Sequence, residues 1–372
     1  MGWAMSVNQF KPKLCSEWVL EKPSGESLAI GELMRLLAAV DELGHISGAC
    51  QALGISYRHG WGVIRKAEAE FQLPLIETSR RKGSRLTGFA QRLLWANRRI
   101  AARLEPTFAS LASELQAELQ SWYTEDITGL RLHASHGFAV ESLMKVAHEE
   151  GFTPLQLRYR TGIEALASLE REQCDLAGFQ LPLGEYEIPS LQHYRHLLDS
   201  DRMLLIHLAV RNTGLFVLPG NPKNICCVAD IARPDVRFVN RQIGSSTRFL
   251  VDLMLERSQV DPQDVVGYDT GEFTHMAVAA HIASGMADVG IGVETAAGRF
   301  GLEFIGLTKE RYFFGINKHL MDTSPLQRLL DLMKGEPYRK YVQDLQGYDC
   351  SGMGQVQPLA EVLGPSQSMS LS

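Results

Sequence analysis

The chain has 372 residues, of which 45% are apolar and 22% charged, and its formal net charge is −6 at pH 7. This length suits two or three domains, and the composition is that of an ordinary globular protein, which excludes a disordered or fibrous chain. Met1–Cys15 lacks the apolar core of a signal peptide, and no apolar stretch reaches bilayer length. Because the six cysteines show no metal-ligand spacing, the sequence predicts a cytoplasmic protein with reduced thiols.

The charge is distributed unevenly along the chain. Residues 30–105 carry 12 Lys and Arg against 7 Asp and Glu, whereas residues 106–372 carry 22 against 33. A basic segment attached to an acidic one indicates a polyanion-binding domain joined to a separate second domain. Chance variation in charge between segments is the simpler alternative, and the motifs must decide between the two.

Two helical segments open the basic region. Apolar residues recur at helical spacing over Leu33–Leu43, and Gly44 follows as a C-terminal cap. We expect Ser47 to cap a short helix of small residues, Gly48–Leu53, which Gly54 then ends. Small residues on such a helix allow a second helix to cross it closely.

A third helix follows with a different character. Ser56 is placed to cap it, and its apolar face is predicted to consist of Val63, Ala67 and Phe71. Two short helices joined by a turn that contains Gly form a helix-turn-helix pattern, in which the second helix enters the major groove. We expect Trp61 to pack. The side chains predicted to contact bases or phosphates are Ser56, Tyr57, Arg58, His59, Arg65 and Lys66.

A basic hairpin is predicted next. The segment IETSRRKGSRLT, Ile76–Thr87, has the pattern of a strand, a Gly turn and a second strand. Its charged residues are typical of a wing that lies on phosphates or in the minor groove. They are Arg80, Arg81, Lys82 and Arg85. A single charge of this kind is usually only a solvated surface group, but a helix-turn-helix followed by a basic hairpin favours DNA binding.

These motifs resemble a known family. SGACQALGISYRHGWGVIRKAEAEFQLPLIETSRRKGSRLT is similar to the winged helix of LysR-type transcriptional regulators, and especially to the variant shared with ModE-type molybdate regulators. The small-residue helix at Ala49, the turn at Gly54 and Ile55, and Pro74–Glu77 match the family pattern. The third helix begins SYRHGW instead of the more usual Ser-x-x-x-Ser. The resemblance therefore implies DNA binding but no particular operator.

A long amphipathic helix is predicted over Leu86–Trp122. Its apolar residues recur at spacings of three, four and seven, which is typical of a coiled-coil-like seam. They are Phe89, Leu93, Ile100, Leu104, Phe108, Leu111, Leu115 and Leu119. We expect Pro106 to kink the helix or split it near Arg103. The LysR resemblance implies a dimerising linker helix here and tetramers through the following domain; packing on its own second domain is the alternative.

Strands and helices alternate through the rest of the chain. The predicted strands are Leu130–Ala134, Leu155–Tyr159, Asp175–Gln180, Val236–Val239 and the segment ADVGIGV. The predicted helices are Phe138–Glu149, one opening after Thr161-Gly162, one from Thr247, and Phe273–Ser284. This alternation predicts parallel α/β sheets, which bind ligands in the crevice at their strand ends.

Several loops place hydroxyl groups and flexible backbone directly before these helices. Helix N-termini carry unpaired N–H groups and the positive end of the helix dipole, so several aimed at one crevice would form an anion site. The candidate residues are Ser135, His136, Thr161, Gly162, Gly244, Ser245, Ser246, Thr247, Thr274 and His275. Plain helix capping is the alternative for each loop.

The order of elements over residues 129–345, with a second lobe from near Leu204 or Asn221, resembles a periplasmic-binding-protein-like effector domain. FVNRQIGSSTRFLVD and FTHMAVAAHIASGMADVGIG are similar to solute-binding-like domains found beside ModE-type heads and in molybdenum-cofactor-related proteins. This resemblance implies a small oxyanion or carboxylate as ligand. Hydroxyl and N–H donors suit molybdate, tungstate, sulfate, formate or other small acids, so these alternatives stay open.

The sequence lacks the common signatures of catalysis. It has no G-x-S-x-G elbow, no metal-spaced pair of histidines, and no Walker or G-x-G-x-x-G loop. We therefore predict a ligand-responsive transcription regulator that is not an enzyme and uses no cofactor or metal. Its predicted partners are double-stranded DNA, a small anion and further copies of itself as a homodimer or homotetramer, without a membrane. The alternative is a cytoplasmic small-anion-binding protein or an enzyme with an appended nucleic-acid-binding head.

The predicted fold class is α/β: a winged helix-turn-helix and a long linker helix, followed by a two-lobed periplasmic-binding-protein-like domain. The boundaries we expect are an N-terminal extension at 1–29, the winged helix at 30–88, the dimerising helix at 89–124, the effector domain at 125–348 and a flexible tail at 349–372. The tail is rich in Gly, Ser, Gln and Pro, a composition typical of loop or disorder.

Overall fold

The computed structural model of the chain describes residues 12–79, 83–121, 129–152 and 155–363. The chain divides into two compact units. One spans Cys15–Ala102, and the other comprises the residues up to Leu14 and those from Arg103 onward. Within the described ranges, no helix is both long enough and apolar enough to cross a bilayer. The domain boundaries proposed from the sequence stay a prediction.

The described part of the smaller unit contains two antiparallel strand pairs, three complete helices and the start of a fourth, α4 (Gly88–Ser121). Its other elements are β1 (Val19–Glu21), β2 (Ser27–Ala29), α1 (Gly31–Leu43), α2 (Ile46–Ala52), α3 (Tyr57–Phe71), β3 (Ile76–Ser79) and β4 (Gly83–Leu86). β1 pairs with β2 and β3 with β4, both antiparallel. The prediction that α1 ends at Gly44 is confirmed, since this residue has a φ of 73°, which glycine adopts without strain. The two strands predicted for the wing are also confirmed, whereas the turn between them lies outside the described residues.

The predicted start of α2 is wrong. The helix begins at Ile46, and His45 caps it, because the His45 Nδ1 atom accepts a hydrogen bond from the Gly48 N–H at 2.9 Å. Ser47 therefore lies inside the first turn. Sequence rules favour Ser, Thr, Asp or Asn as caps, but a histidine in extended backbone offers an equivalent acceptor. The Ser56 cap of α3 is confirmed: its Oγ accepts from the His59 N–H at 3.2 Å.

The apolar face of α3 differs by a small rotation from the predicted one. Gly60, Ile64 and Ala67 are buried, whereas Val63 and Phe71 are only partly covered at the edges of the core. A Cβ atom on Gly60 would lie 2.4 Å from the Sγ atom of Cys50 on α2. The close crossing of α2 and α3 therefore requires glycine at this position.

Helix α4 (Gly88–Ser121) is continuous, so Pro106 does not split it near Arg103. The other outcome expected from the sequence, a kink at Pro106, stays a prediction. Proline removes one backbone N–H and crowds the preceding turn, but it need not end a long helix. Here the Ser110 hydroxyl donates to the Pro106 carbonyl at 2.8 Å. Side chains on both sides of the proline, Arg103 and Ser110, also have partners in the larger unit.

The described residues of the larger unit contain ten strands and nine complete α-helices, which form two lobes. The elements of the first lobe are β5 (Leu130–Ala134), α5 (Phe138–Glu149), β6 (Leu155–Tyr159), α6 (Gly162–Glu170), β7 (Leu176–Pro182) and α7 (Glu187–Tyr194). Strand β8 (Met203–Val217) then leads into the second lobe, whose elements are β9 (Phe238–Arg241), α8 (Ser246–Arg257), β10 (Gly271–Glu272), α9 (His275–Ala283), β11 (Val289–Val293) and α10 (Glu294–Arg299). Strand β12 (Glu303–Asn317) returns to the first lobe, which α11 (Ser324–Lys334) and α12 (Glu336–Gln343) complete.

The two lobes share one sheet with the strand order β10-β9-β11-β8-β12-β7-β5-β6. The strands within each lobe are parallel, as predicted, but β8 and β12 run antiparallel to their neighbours. The expectation of purely parallel sheets is therefore corrected. Each of these two strands has 15 residues and passes through both lobes. The alternation of strands and helices in the sequence does not show that the chain crosses between the lobes in this way.

A buried ion pair lies where β8 and β12 pass between the lobes. Arg211 and Glu310 are opposite each other in the register, and the Arg211 Nε atom donates to Glu310 Oε2 at 3.1 Å. The Thr213 hydroxyl donates to the same carboxylate oxygen at 2.8 Å. Because both charged side chains are almost fully buried, removal of either partner would leave an uncompensated charge in the core.

The described part of the C-terminal tail contains regular elements on both sides of a turn at 350–355, so the prediction of loop or disorder is wrong outside that turn. These elements are β13 (Tyr348–Asp349), β14 (Val356–Pro358) and α13 (Leu359–Leu363). Both strands pair antiparallel with β8, on the part of its edge that β11 leaves uncovered. Backbone groups on that edge need partners, and a polar composition does not prevent main-chain pairing.

Candidate functional site

The exposed face of α3 is the candidate nucleic-acid interface. Arg58, Gly62, Lys66 and Ala69 follow one another at about one turn along the helix, and all are exposed. Within the described residues, neither Arg58 nor Lys66 has an ion-pair partner. Gly62 adds little bulk between the two cations, and Ala69 adds little beyond Lys66. This face therefore offers free positive charge on a surface that another molecule could approach closely.

The other candidates on α3 already have partners inside the smaller unit. His59 Nε2 lies 2.7 Å from Glu32 Oε1, and Arg65 donates to Glu68 Oε2 at 2.9 Å. The Arg65 guanidinium also lies over the Trp61 ring, on which Tyr57 stacks. Trp61 is partly packed against the core, as expected. Ser56 serves as the helix cap, so its hydroxyl oxygen is engaged.

Glu68 and Gly83 attach the wing to the helices. Glu68 Oε1 accepts the Leu75 N–H at 2.8 Å, directly before β3. Gly83 has a φ of 74°, and a Cβ atom there would lie 2.5 Å from the Gly44 carbonyl oxygen. Arg85 is exposed on β4, whereas Arg80, Arg81 and Lys82 lie outside the described residues.

A cleft of about 390 Å³ in the larger unit is the candidate ligand site. Eight of the ten residues predicted to bind the effector line it: Ser135, His136, Thr161, Gly162, Ser245, Ser246, Thr247 and His275. These residues come from four loops that are distant in sequence. The fold therefore brings together the loops that the sequence singled out by type, although their role in ligand binding stays a prediction.

Gly244 and Thr274 do not line the cleft. Gly244 has a φ of 84° and forms the turn that leads into α8. Thr274 is fully buried, and its Oγ1 accepts the Ala277 N–H at 2.9 Å as the cap of α9. Both residues shape a loop beside the cleft without facing it.

Three helices begin at the cleft. They are α6 at Gly162, α8 at Ser246 and α9 at His275. The Ser246 hydroxyl is 2.7 Å from the Tyr194 hydroxyl, and a Cβ atom on Gly162 would meet both of these oxygens at 3.1–3.2 Å. The N-termini of α6 in the first lobe and α8 in the second lobe are therefore close neighbours, so their dipoles favour negative charge at one place.

Some hydroxyls in these loops are occupied by capping. The Thr161 hydroxyl donates to Glu164 Oε2 at 3.0 Å and accepts the Glu164 N–H in a capping box. Ser245 Oγ accepts the Arg248 N–H at 3.1 Å, which leaves its proton available to a ligand. The Ser135 hydroxyl lies within hydrogen-bond range of Gln180 and Tyr312.

Arg241 is the residue of the cleft that sequence reasoning missed. It is only 6% exposed, at the end of β9. Its Nε and Nη2 atoms donate to the carbonyls of Glu272 and Phe273 at 3.2 and 2.9 Å, while Nη1 is buried without a hydrogen-bond partner in the described structure. Burial, and then the positive charge of Arg211, lower the pKa of Arg241 to about 10. Arg241 therefore remains a cation at neutral pH.

His275 complements this charge with a neutral ring. Burial, and then the charges of Arg241 and Arg211, hold its pKa well below the ordinary value. The imidazole is therefore uncharged at neutral pH, and its Nδ1 atom is buried without a hydrogen-bond partner among the described residues. A ring nitrogen and a guanidinium nitrogen are both left for a further molecule.

One cluster of described residues has the chemistry of metal ligands. It consists of Glu105, His136 and Glu141, whose ligand atoms lie within 4.8 Å of one another. His136 Nε2 is 2.8 Å from Glu141 Oε1 and 3.7 Å from Glu105 Oε2. The positive charge of Arg299 acts on both carboxylates. The arrangement is that of an internal ion-pair network, and we do not assign a metal to it.

Two family descriptions match the chain. "PBP superfamily domain" matches residues 143–334, and "Bacterial regulatory helix-turn-helix protein, lysR family" matches residues 32–91. The uncharacterized protein YvgK of Bacillus subtilis (strain 168) is 33% identical over 207 residues, which are 55% of this chain and 65% of YvgK. This chain thus spans less than two thirds of that relative. An uncharacterized protein in the 5′ region of a ferredoxin 2Fe-2S gene of Clostridium pasteurianum is 33% identical over 108 residues, 29% of this chain and 96% of that protein.

Solved structures resemble the chain at low identity. OxyR of Corynebacterium glutamicum has 16% identity and a TM-score of 0.40, covering 83% of this chain and 92% of its own. CbnR in complex with its target DNA has 18% identity and a TM-score of 0.37, covering 83% of this chain and 98% of its own.

Proposed function

Because the chain belongs to the PBP superfamily and carries a helix-turn-helix domain of the lysR family, we propose that it is a cytoplasmic regulator whose cleft senses a small anion. It is a LysR-type DNA-binding transcriptional regulator with a ligand-binding PBP-like domain, and this family is not enzymatic. The fold class predicted from the sequence is therefore confirmed, and the enzymatic alternative is set aside. The anion and the assembly are the parts we propose.

The unpaired cations of α3 are proposed to contact DNA directly. Arg58 and Lys66 are exposed and unpaired among the described residues. His59 and Arg65 have acidic partners in the same unit, so their contact with DNA requires an exchange of partners. The wing residues Arg80, Arg81, Lys82 and Arg85 are proposed to add contacts to phosphates.

We predict that Arg58→Ala and Lys66→Ala each weaken binding to a duplex selected from random DNA by the wild-type protein. A lost phosphate contact should lower the slope of log affinity against log salt by about 0.9, and a lost base contact should cost roughly 1–3 kcal/mol for that sequence alone. Fluorescence anisotropy at several salt concentrations distinguishes these effects. Arg35→Ala, which removes an exposed cation from α1, is the control; equal effects of all three variants would contradict the assignment.

For the ligand, one observation carries the proposal: the buried Nη1 atom of Arg241 has no partner in the described structure. A buried cation is costly unless it is paired. The N-termini of α6 and α8 add positive potential beside it, and neutral His275 adds a polar nitrogen without a competing charge. A small anion between the two lobes would satisfy all of these groups, whereas a cation would be repelled.

We predict that Arg241→Gln weakens anion binding by roughly tenfold to a hundredfold, because a hydrogen bond to a charged group contributes about 1.5–3 kcal/mol. Calorimetry with formate, sulfate, molybdate and tungstate at constant ionic strength measures the effect. Arg233→Gln is the control, since Arg233 is paired with Asp235 and does not line the cleft. Equal affinities of Arg241→Gln and the wild type would mean that the loops only cap helices.

The proposed assembly is a homo-oligomer formed through α4. Leu111, Leu115 and Leu119 follow one another at every fourth position and are all exposed in the single chain. An apolar stripe of this kind is stabilised by the same stripe on a second helix.

We predict that Leu115→Glu combined with Leu119→Glu lowers the mass measured by light scattering from that of an oligomer to that of one chain, because like charges would face each other across the seam. Leu111 is left unchanged because it also lines the cleft. Glu118→Gln, on the same helix and outside the cleft lining, provides the control. An unchanged mass of the double leucine variant would exclude the seam as the interface.

A further inference from the structure

Helix α4 is attached to the first lobe through two serines. The Ser110 hydroxyl oxygen accepts the Tyr159 N–H at 3.0 Å, and the Ser113 hydroxyl oxygen accepts the Leu157 N–H at 2.8 Å. Both N–H groups belong to β6, the last strand of the sheet. An edge strand presents unpaired backbone groups, and here α4 supplies their acceptors. The helix thus takes the place of a neighbouring strand.

The same helix is attached to the second lobe through Arg103. Its Nε atom donates to Glu272 Oε2 at 2.7 Å, and its Nη2 atom donates to Glu272 Oε1. Glu272 is fully buried and also lies 3.0 Å from His281 Nδ1. Burial raises the pKa of the Glu272 carboxyl, but the hydrogen bonds with His281 and Arg103 outweigh that effect and hold the pKa below its ordinary value. The carboxylate is therefore charged and paired at neutral pH.

One dipeptide, Glu272-Phe273, contacts both Arg103 of α4 and Arg241 of the cleft. The Glu272 side chain holds Arg103, while the backbone carbonyls of Glu272 and Phe273 hold Arg241. A shift of Arg241 toward a ligand therefore moves the backbone that carries the Glu272 carboxylate. Arg103, Ser110 and Phe273 themselves line the cleft, so α4 is one of its walls.

We propose that α4 is a strap across the two lobes and that Arg103 is the positioning residue through which the occupied cleft acts on this helix. The inference rests on the proposed function. An anion held between the N-termini of α6 and α8 favours one spacing of the lobes, and a helix attached to both must respond to that spacing. Because α4 is continuous from Gly88 to Ser121, the response extends beyond the larger unit. Because binding at the two sites is linked, the anion changes the affinity for DNA by the same factor by which DNA changes the affinity for the anion.

The test measures the affinity of the full chain for the selected duplex with and without saturating formate, sulfate, molybdate or tungstate at constant ionic strength. For the wild type we expect an effective anion to change the DNA affinity about 5- to 150-fold. Arg103→Ala should reduce this change to less than about twofold at an anion concentration that calorimetry shows to saturate this variant, while its anion-free DNA affinity stays within about threefold of wild type. Arg103→Lys, which keeps the charge, should restore part of the coupling.

Two further variants keep the test decisive. Arg131→Ala removes an equivalent paired arginine, which binds Asp175 in the first lobe away from α4, and it should leave the coupling unchanged. Ser110→Ala combined with Ser113→Ala removes both serine hydrogen bonds to the first lobe and should reduce the coupling even if Arg103→Ala does not fold. Full coupling in folded Arg103→Ala or in the double serine variant overturns the strap. A wild-type chain whose DNA affinity responds to none of the four anions overturns the proposed function, and the inference with it.

Discussion

The larger unit depends on one constraint, the buried guanidinium of Arg241. One nitrogen of this group has no partner in the described structure. Arg241 is held by two backbone carbonyls and lines a cleft at which three helices begin. Nearby, Glu310 is paired with Arg211 and Glu272 with Arg103. Both buried carboxylates are thus engaged, and the charge of Arg241 is left for a ligand. A regulator can use this unpaired charge. The conformation in which Arg241 is paired with an anion is favoured only when the anion is present.

The architecture places this charge where movement is possible. The lobes are joined by β8 and β12, whose pairing is irregular near Thr308 and Phe313. Buried pairing of Arg211 with Glu310 holds the two strands together where they cross between the lobes. Lobes joined by a few strands can change their spacing while each keeps its own core. The helix that lines the cleft is attached to both lobes, and in the proposed function the ligand changes the separation of these attachments.

Sequence patterns predicted the local elements well and the long-range contacts poorly. The bounds of β5 and α5 and the cap at Ser56 follow from periodicity and capping, which are local. The four loops of the cleft were found by residue type, because each precedes a helix. The sequence indicated Arg241 only weakly, because this residue is a charge at the end of an apolar strand beside the Gly-Ser-Ser loop. Nothing in the sequence indicated that Arg103 pairs with Glu272, since the two residues are separated by 169 positions and each is one charge among many.

The most direct measurement of the central claim is an anomalous difference map from crystals of the full chain soaked in sodium bromide. Bromide is a generic monovalent anion, so it reports where the protein favours negative charge without assuming the natural ligand. The account predicts the strongest ordered peak in contact with Nη1 of Arg241, between the N-termini of α6 and α8. A cleft without a bromide peak, in crystals where bromide occupies other sites on the larger unit, would contradict it.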